Sequence, residues 1–145
     1  MSTSGCDTAK VKVADHPTSL TEDLARVEAV RDALGPHGAI RIDANGAWDT
    51  DTAVAVIPQL DKAAGGLQYV EQPCHTLEDL AVVRRHVTVR IAADESIRRA
   101  EDPLRIAIAG AADIAVLKST PLGGAWWRQR LRRIHATLTR IRPPS

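Results

Sequence analysis

The chain has only two cysteines in 145 residues, Cys6 and Cys74, and they form no CxxC pair. That excludes a disulfide framework and a cysteine-built zinc site, leaving two buried or idle thiols of a reducing compartment. No run approaches the ~20 apolar residues that a membrane-spanning helix needs. The opening MSTSG is polar and lacks the apolar stretch of a secretory leader, so a cytoplasmic location is expected. A large charge of either sign is lacking too. With 19 Lys and Arg against 18 Asp and Glu the formal net charge is +1, so no nucleic-acid or membrane partner is expected. The balance is uneven, however. From Arg128 onward the chain carries six arginines and no acid, so the part before it is net acidic.

What is present is an ordinary globular composition, 44% hydrophobic and 26% charged, in a length suited to one domain with a real core. Short apolar runs alternate with helical patterns. TAKVKVA (8–14), AIRID, LQYVE, VRIAAD and DIAVLK read as strands. Between them, Ser19 and Glu22 have capping-box spacing ahead of a stripe of Leu24, Val27, Val30, Ala33 and Leu34, which Gly35-Pro36 stops. WDTDTAVAVIPQLDKA predicts a helix kinked at Pro58. Thr76 opens another, and EDPLRIAIAG predicts a short one with Asp102 as cap and Pro103 at its first position.

Alternation of this kind argues for right-handed βα units on a parallel sheet. Steps of 31, 28, 23 and 24 residues separate Lys12, Asp43, Glu71, Asp94 and Lys118, the charged ends of successive strands. Units of about 30 residues suit both a (β/α)8 barrel and a doubly wound sheet. Charge at one strand end after another favours the barrel, whose chemistry gathers at a single mouth.

Strand parity sorts the candidates. Lys10 and Lys12 share a face, Asp43 shares one with Arg41, Glu71 with Tyr69, Asp94 with Ala92, and Lys118 with Val116. If all five strands are staves, three carboxylates and the lysines meet at one mouth. Carboxylates so confined repel one another unless a cation sits among them. An all-oxygen donor set points to Mg²⁺, with Mn²⁺ as the other hard ion that fits. Lysines flanking such a site can move a proton and stabilise an anion. Glu95 has the opposite parity and reads as a loop contact. The five histidines follow no ligand spacing and read as surface residues.

The motifs KVKVA, RIDANGAW, YVEQP, IAADES and LKSTPLGG resemble the consecutive strand ends of the enolase superfamily, in its muconate-lactonizing branch. Within it they are most similar to the o-succinylbenzoate synthase family of menaquinone biosynthesis, in its actinobacterial form. The likeness covers about residues 6–124. The resemblance implies Asp43, Glu71 and Asp94 as Mg²⁺ ligands and Lys12 as the base that removes a proton α to a carboxylate. Lys12 then returns that proton to the departing hydroxyl. Lys118 becomes the cation on the opposite face of the substrate, and Lys10 tunes Lys12, a division of labour established for the superfamily. The implied reaction dehydrates a cyclohexadiene carboxylate through an enediolate.

The same resemblance sets expectations about completeness. Residues 1–124 are expected to form a partial enolase-like β/α barrel of about five units, the second to sixth, without the family's N-terminal capping domain. Residues 125–145, AWWRQRLRRIHATLTRIRPPS, depart from the pattern and form an Arg-rich tail, as a truncated or shifted reading frame would produce. Two readings of function stand at this point, a lyase acting on a small-molecule carboxylate and a non-catalytic, metal-binding half-barrel. Since specificity in the family depends on the capping domain, racemisation of N-acylamino acids and epimerisation of dipeptides also remain open.

Overall fold

The computed structural model describes residues 6–15, 19–99 and 101–118. Among the described residues, five strands, β1 (Thr8–Lys12), β2 (Ala39–Asp43), β3 (Leu67–Glu71), β4 (Ile91–Ala93) and β5 (Ile114–Ala115), alternate with four helices. These are α1 (Leu20–Leu34), α2 (Thr50–Ala63), α3 (Leu77–His86) and α4 (Asp102–Ala109). The expected strands VRIAAD and DIAVLK are shorter than their apolar runs. The tail at 125–145, its boundary at Gly124 and the end of the LKSTPLGG motif lie outside the described residues.

All four strand pairs are parallel, and the spatial order is β1-β2-β3-β4-β5. This order separates the two architectures left open by unit length. A doubly wound sheet reverses its strand order to place helices on both faces. Here every crossover steps the same way, and crossovers of one hand put every helix on one face. Accordingly α1 packs on α2, α2 on α3, and α3 on α4. The fold is an arc of a (β/α)8-type barrel.

The core lies between sheet and helices. Val11, Val13, Ile40, Ile42, Val70, Ile91 and Ala93 turn toward the helices and are buried, as are Val27, Ile57, Leu60, Leu80 and Val83 opposite them. Each fully buried Ile, Leu or Val contributes about 1.5–3 kcal/mol relative to exposure. With this parity committed to the core, the alternate residues face the barrel interior. Register confirms it, pairing Lys10 with Arg41 and Arg41 with Tyr69 on one level. On the next level Lys12 pairs with Asp43, Asp43 with Glu71, and Glu71 with Ala92.

Helix starts follow the sequence closely. Glu22 N–H donates to Ser19 Oγ at 3.3 Å while Ser19 N–H donates to Glu22 Oε2 at 2.6 Å, closing the capping box. Asp79 N–H donates to Thr76 Oγ1 at 3.1 Å. Gly35 ends α1 at φ +82°. Helix α2 continues through Pro58, whose missing N–H removes one helical bond, because Ala53, Val56, Ile57 and Leu60 hold its inner face in the core.

Two local expectations need correction. Asp102 does not cap α4. Glu101 occupies the cap position without a side-chain bond, Pro103 is the second helical residue, and Asp102 Oδ2 accepts from Arg98 N–H at 2.8 Å and Arg99 N–H at 2.7 Å. Asp102 is already the first helical residue, and its carboxylate serves the N–H groups of the turn before the helix. Ala33 is exposed, since α1 buries only Val27 and Asp23 fully and its stripe continues through Val30 and Leu34.

Candidate functional site

Sheet geometry brings the three acids to neighbouring strand ends. Asp43 and Glu71 are register partners closing β2 and β3, and Asp94 follows β4 directly. All three are buried, at 7%, 1% and 5% exposure, which an unpaired carboxylate does not tolerate. Lysines supply the pairing. Lys10 Nζ donates to both Glu71 oxygens at 3.0 Å and lies 3.3 Å from Asp43 Oδ2. Lys118 Nζ donates to Asp94 Oδ2 at 2.7 Å.

The electrostatics record a crowded site. Burial pushes the Glu71 carboxyl above its ordinary range; Lys10 pulls against this, while Asp43's charge and a hydrogen bond with Asp94 add to it. Burial acts to lower the Lys10 ammonium's pKa, but Glu71 and Asp43 outweigh it and the value is raised. Lys118 is raised as well, chiefly by its hydrogen bond to Asp94.

Lys12 is placed differently. It shares the interior face with Lys10, yet its ammonium extends past the strand end to within 3.9 Å of Asp15 and is 59% exposed. The carboxylates are thus brought to Lys10 and Lys118, and Lys12 stands at the rim. Its backbone is well fixed. Arg26 Nη1 donates to the Lys12 carbonyl at 2.9 Å, and buried Asp23 accepts from Ala14 N–H at 2.8 Å and from Arg26 at 3.1 Å. Helix α1 therefore pins the loop that follows the lysine strand.

The loops between strands and helices add groups that sequence reasoning did not single out. Asn45 and Gly46 take φ of +49° and +74° in a turn closed by Ala47 N–H to the Ala44 carbonyl at 3.0 Å. The Asn-Gly pair is a recognisable signal for such a turn. Asn45 N–H donates to Asp43 Oδ1 at 3.0 Å, and its amide donates to Glu95 Oε1 at 2.7 Å. Glu95 is accordingly a loop contact, with its Oε2 buried and without a hydrogen-bond partner. Gln72, next to Glu71, is buried at 1% and bridges to β4. Of the histidines, His37, His75 and His86 are exposed as expected; His16 and His135 lie outside the described residues.

Among the described residues, no three His, Cys, Asp or Glu side chains are already set as a metal cage. Lys10 pairs instead with Asp43 and Glu71, and Lys118 with Asp94. The donor chemistry nonetheless fits a hard divalent ion, with three buried carboxylates and no sulfur or imidazole among them.

Parallel βα units turning in one sense, with buried acids and lysines at their C-terminal ends, define a segment of a (β/α)8 barrel with its site at the mouth. The chain belongs to the enolase C-terminal domain-like family, whose description matches residues 1–139. It is 65% identical over 124 residues to the o-succinylbenzoate synthase of Thermobifida fusca, a match covering 86% of this chain and 38% of that protein. A crystal structure of a dipeptide epimerase from Enterococcus faecalis, complexed with Mg and the dipeptide L-Leu-L-Tyr, superposes with a TM-score of 0.80. Identity there is 36%, over 91% of this chain and 36% of that one. The muconate lactonizing enzyme of Pseudomonas putida gives a TM-score of 0.80 at 27% identity, over 92% and 37% of the two chains. The chain thus spans less than two-fifths of the length of these relatives. No helix among the described residues is long and apolar enough to cross a membrane.

Proposed function

We propose that this chain carries the chemical centre of an o-succinylbenzoate synthase-type lyase, which removes a proton α to a carboxylate and then expels water. The observation that carries this reading is the gathering of Asp43, Glu71 and Asp94 on adjacent strand ends, with lysines on the β1 and β5 sides. Asp43, Glu71 and Asp94 would hold Mg²⁺, or Mn²⁺ in its place. When bound, such an ion supplies positive charge against the negative charge that develops on the substrate carboxylate.

The chain's own residues then divide the work. Lys12 Nζ, turning inward from its contact with Asp15 at the rim, would take the α-proton and give it to the leaving hydroxyl, so that one water departs and no proton is lost. Lys118, four strands away, offers an ammonium on the opposite side of the bound carboxylate. Lys10 stays with Glu71 and Asp43, limits their repulsion, and adds positive charge beside Lys12. The arms flanking the acids would hold a small cyclohexadiene carboxylate between base and cation.

The higher identity to the synthase, 65% against 36% for the epimerase, favours dehydration over epimerisation. Incubating the purified chain with Mg²⁺ and the cyclohexadiene substrate tests it, beside a Lys12→Ala control and a parallel assay for epimerisation of L-Leu-L-Tyr. Dehydration abolished by the control supports the lyase. Epimerisation alone transfers the reading to the epimerases. A second reading rests on the strand order, in which β1 and β5 pair on one side only among the described residues. A chain that binds Mg²⁺ but turns over neither substrate is the metal-binding half-barrel.

A further inference from the structure

We propose that Gln72 is a positioning residue that locks the Glu71 and Asp94 strand ends together, so that their carboxylates converge on one cation. This rests on the metal-site reading above and deepens it. Gln72 follows Glu71 directly and takes φ of +41°, a left-handed conformation that a side chain bearing Cβ disfavours. A residue is held there only when its surroundings over-determine it.

The surroundings do. The backbone N–H of Gln72 donates to the Ala92 carbonyl at 2.7 Å, and its carbonyl accepts from Gly46 N–H at 2.7 Å. Its side-chain oxygen accepts from Asp94 N–H at 2.9 Å and Ser96 N–H at 3.3 Å. Its side-chain nitrogen donates to the Cys74 carbonyl at 3.0 Å and Ser96 Oγ at 2.7 Å. Both amide protons and both oxygen lone pairs are used, so the partners fix which end of the amide is oxygen. One residue therefore ties the loop after β2, the end of β3 and the end of β4.

The left-handed turn explains the layout. It takes the chain out of β3 immediately after Glu71 while aiming the Gln72 amide across at the Asp94 main chain. Asp94 lies just beyond β4, a strand of three residues, where the ladder alone gives little restraint. The hydrogen bond from Asp94 N–H supplies that restraint. Glutamine has the reach and the paired donor and acceptor that the position needs; methionine matches its length and provides neither.

The test uses the full chain and Mn²⁺, with affinity and the spectrum of the bound ion read by electron paramagnetic resonance. Gln72→Met, melting cooperatively with the wild-type circular dichroism, should bind Mn²⁺ about 10–100-fold more weakly, with an altered spectrum of the bound ion. Ser96→Ala, which removes one of the four side-chain contacts, should weaken binding by a smaller factor. A folded Gln72→Met with wild-type affinity and spectrum overturns the role of Gln72. If that variant does not fold, Ser96→Ala decides, and unchanged affinity and spectrum overturn the role. A wild-type chain that binds no Mn²⁺ overturns the metal-site reading itself, and the role with it.

Discussion

Lys10 and Glu71 lie 61 positions apart in the chain and meet across the width of β2, the ammonium 3.0 Å from each carboxylate oxygen. The contact is diagonal, because Lys10 is level with Arg41 and Tyr69, one step below Glu71. Glu71 is almost fully buried and Lys10 is about half exposed, so solvent screens one partner and not the other. The asymmetry decides what each substitution costs.

Lys10→Met leaves Glu71 buried with its main partner gone. Breaking a fully buried pair costs about 3–5 kcal/mol, but water reaches the Lys10 side, so a loss of roughly 1–2 kcal/mol is expected. A lowered Tm in calorimetry checks it. Saturating Mg²⁺ should restore more Tm to this variant than to the wild type, since a cation replaces the missing charge.

Glu71 also sets a pH dependence. Burial and Asp43 hold its folded pKa above the ordinary 4.5, so the folded state binds its proton more tightly than the unfolded state does. That stabilisation is complete below the unfolded value and is lost as pH rises through the folded one. A divalent ion held by these carboxylates, as proposed, would oppose the loss. The increase in Tm on adding Mg²⁺ should therefore be larger at pH 7 than at pH 4.5, and equal increases at the two would contradict it.

Much of this was legible because strand parity is strict. Once Val11, Ile42 and Val70 are assigned to the core, Lys10, Asp43 and Glu71 have one remaining face, and adjacent parallel strands bring them together. Unit length left barrel and doubly wound sheet unresolved, because that choice lies in strand order. The Lys12 ammonium was not legible, since a long flexible side chain at a strand end chooses among partners that periodicity does not rank; it lies beside Asp15. Nor was Gln72, whose backbone conformation is unusual for its type and whose partners lie as far as 24 residues ahead. Asp102 was misassigned because two free N–H groups just before it compete with those of the helix.

Asp23 should matter beyond its own helix. It is 3% exposed, accepts from Ala14 N–H and pairs with Arg26, which holds the Lys12 carbonyl. Asp23→Ala leaves a backbone donor unpaired at a cost of about 1–3 kcal/mol. Amide exchange at Ala14 should accelerate in the variant while exchange at Ile42, in the core of β2, follows only the global loss.

The two thiols should separate by reactivity. Cys6 is exposed, whereas Cys74 is buried, and burial, with lesser contributions from Asp79 and Asp49, pushes it up to about 11. At pH 8 a disulfide reagent should titrate one fast thiol in the native chain and two in urea, because the thiolate is the reacting form. Two fast thiols in the native state would show that the loop after β3 opens readily.

Pro58 offers a gain of stability. It lies on the exposed side of α2, in a helix whose opposite face is held by Val56, Ile57 and Leu60. Proline in a helix interior is about 3 kcal/mol less favourable than alanine. Some of that is offset because proline also restricts the unfolded chain, by about 0.4–1 kcal/mol. Pro58→Ala restores the N–H that can donate to the Val54 carbonyl and leaves the buried face unchanged. A net stabilisation of about 1–2 kcal/mol is expected, seen as a Tm higher by several degrees. An unchanged or lower Tm would mean that α2 bends at Pro58 to fit the curved sheet, and that the bend contributes to packing.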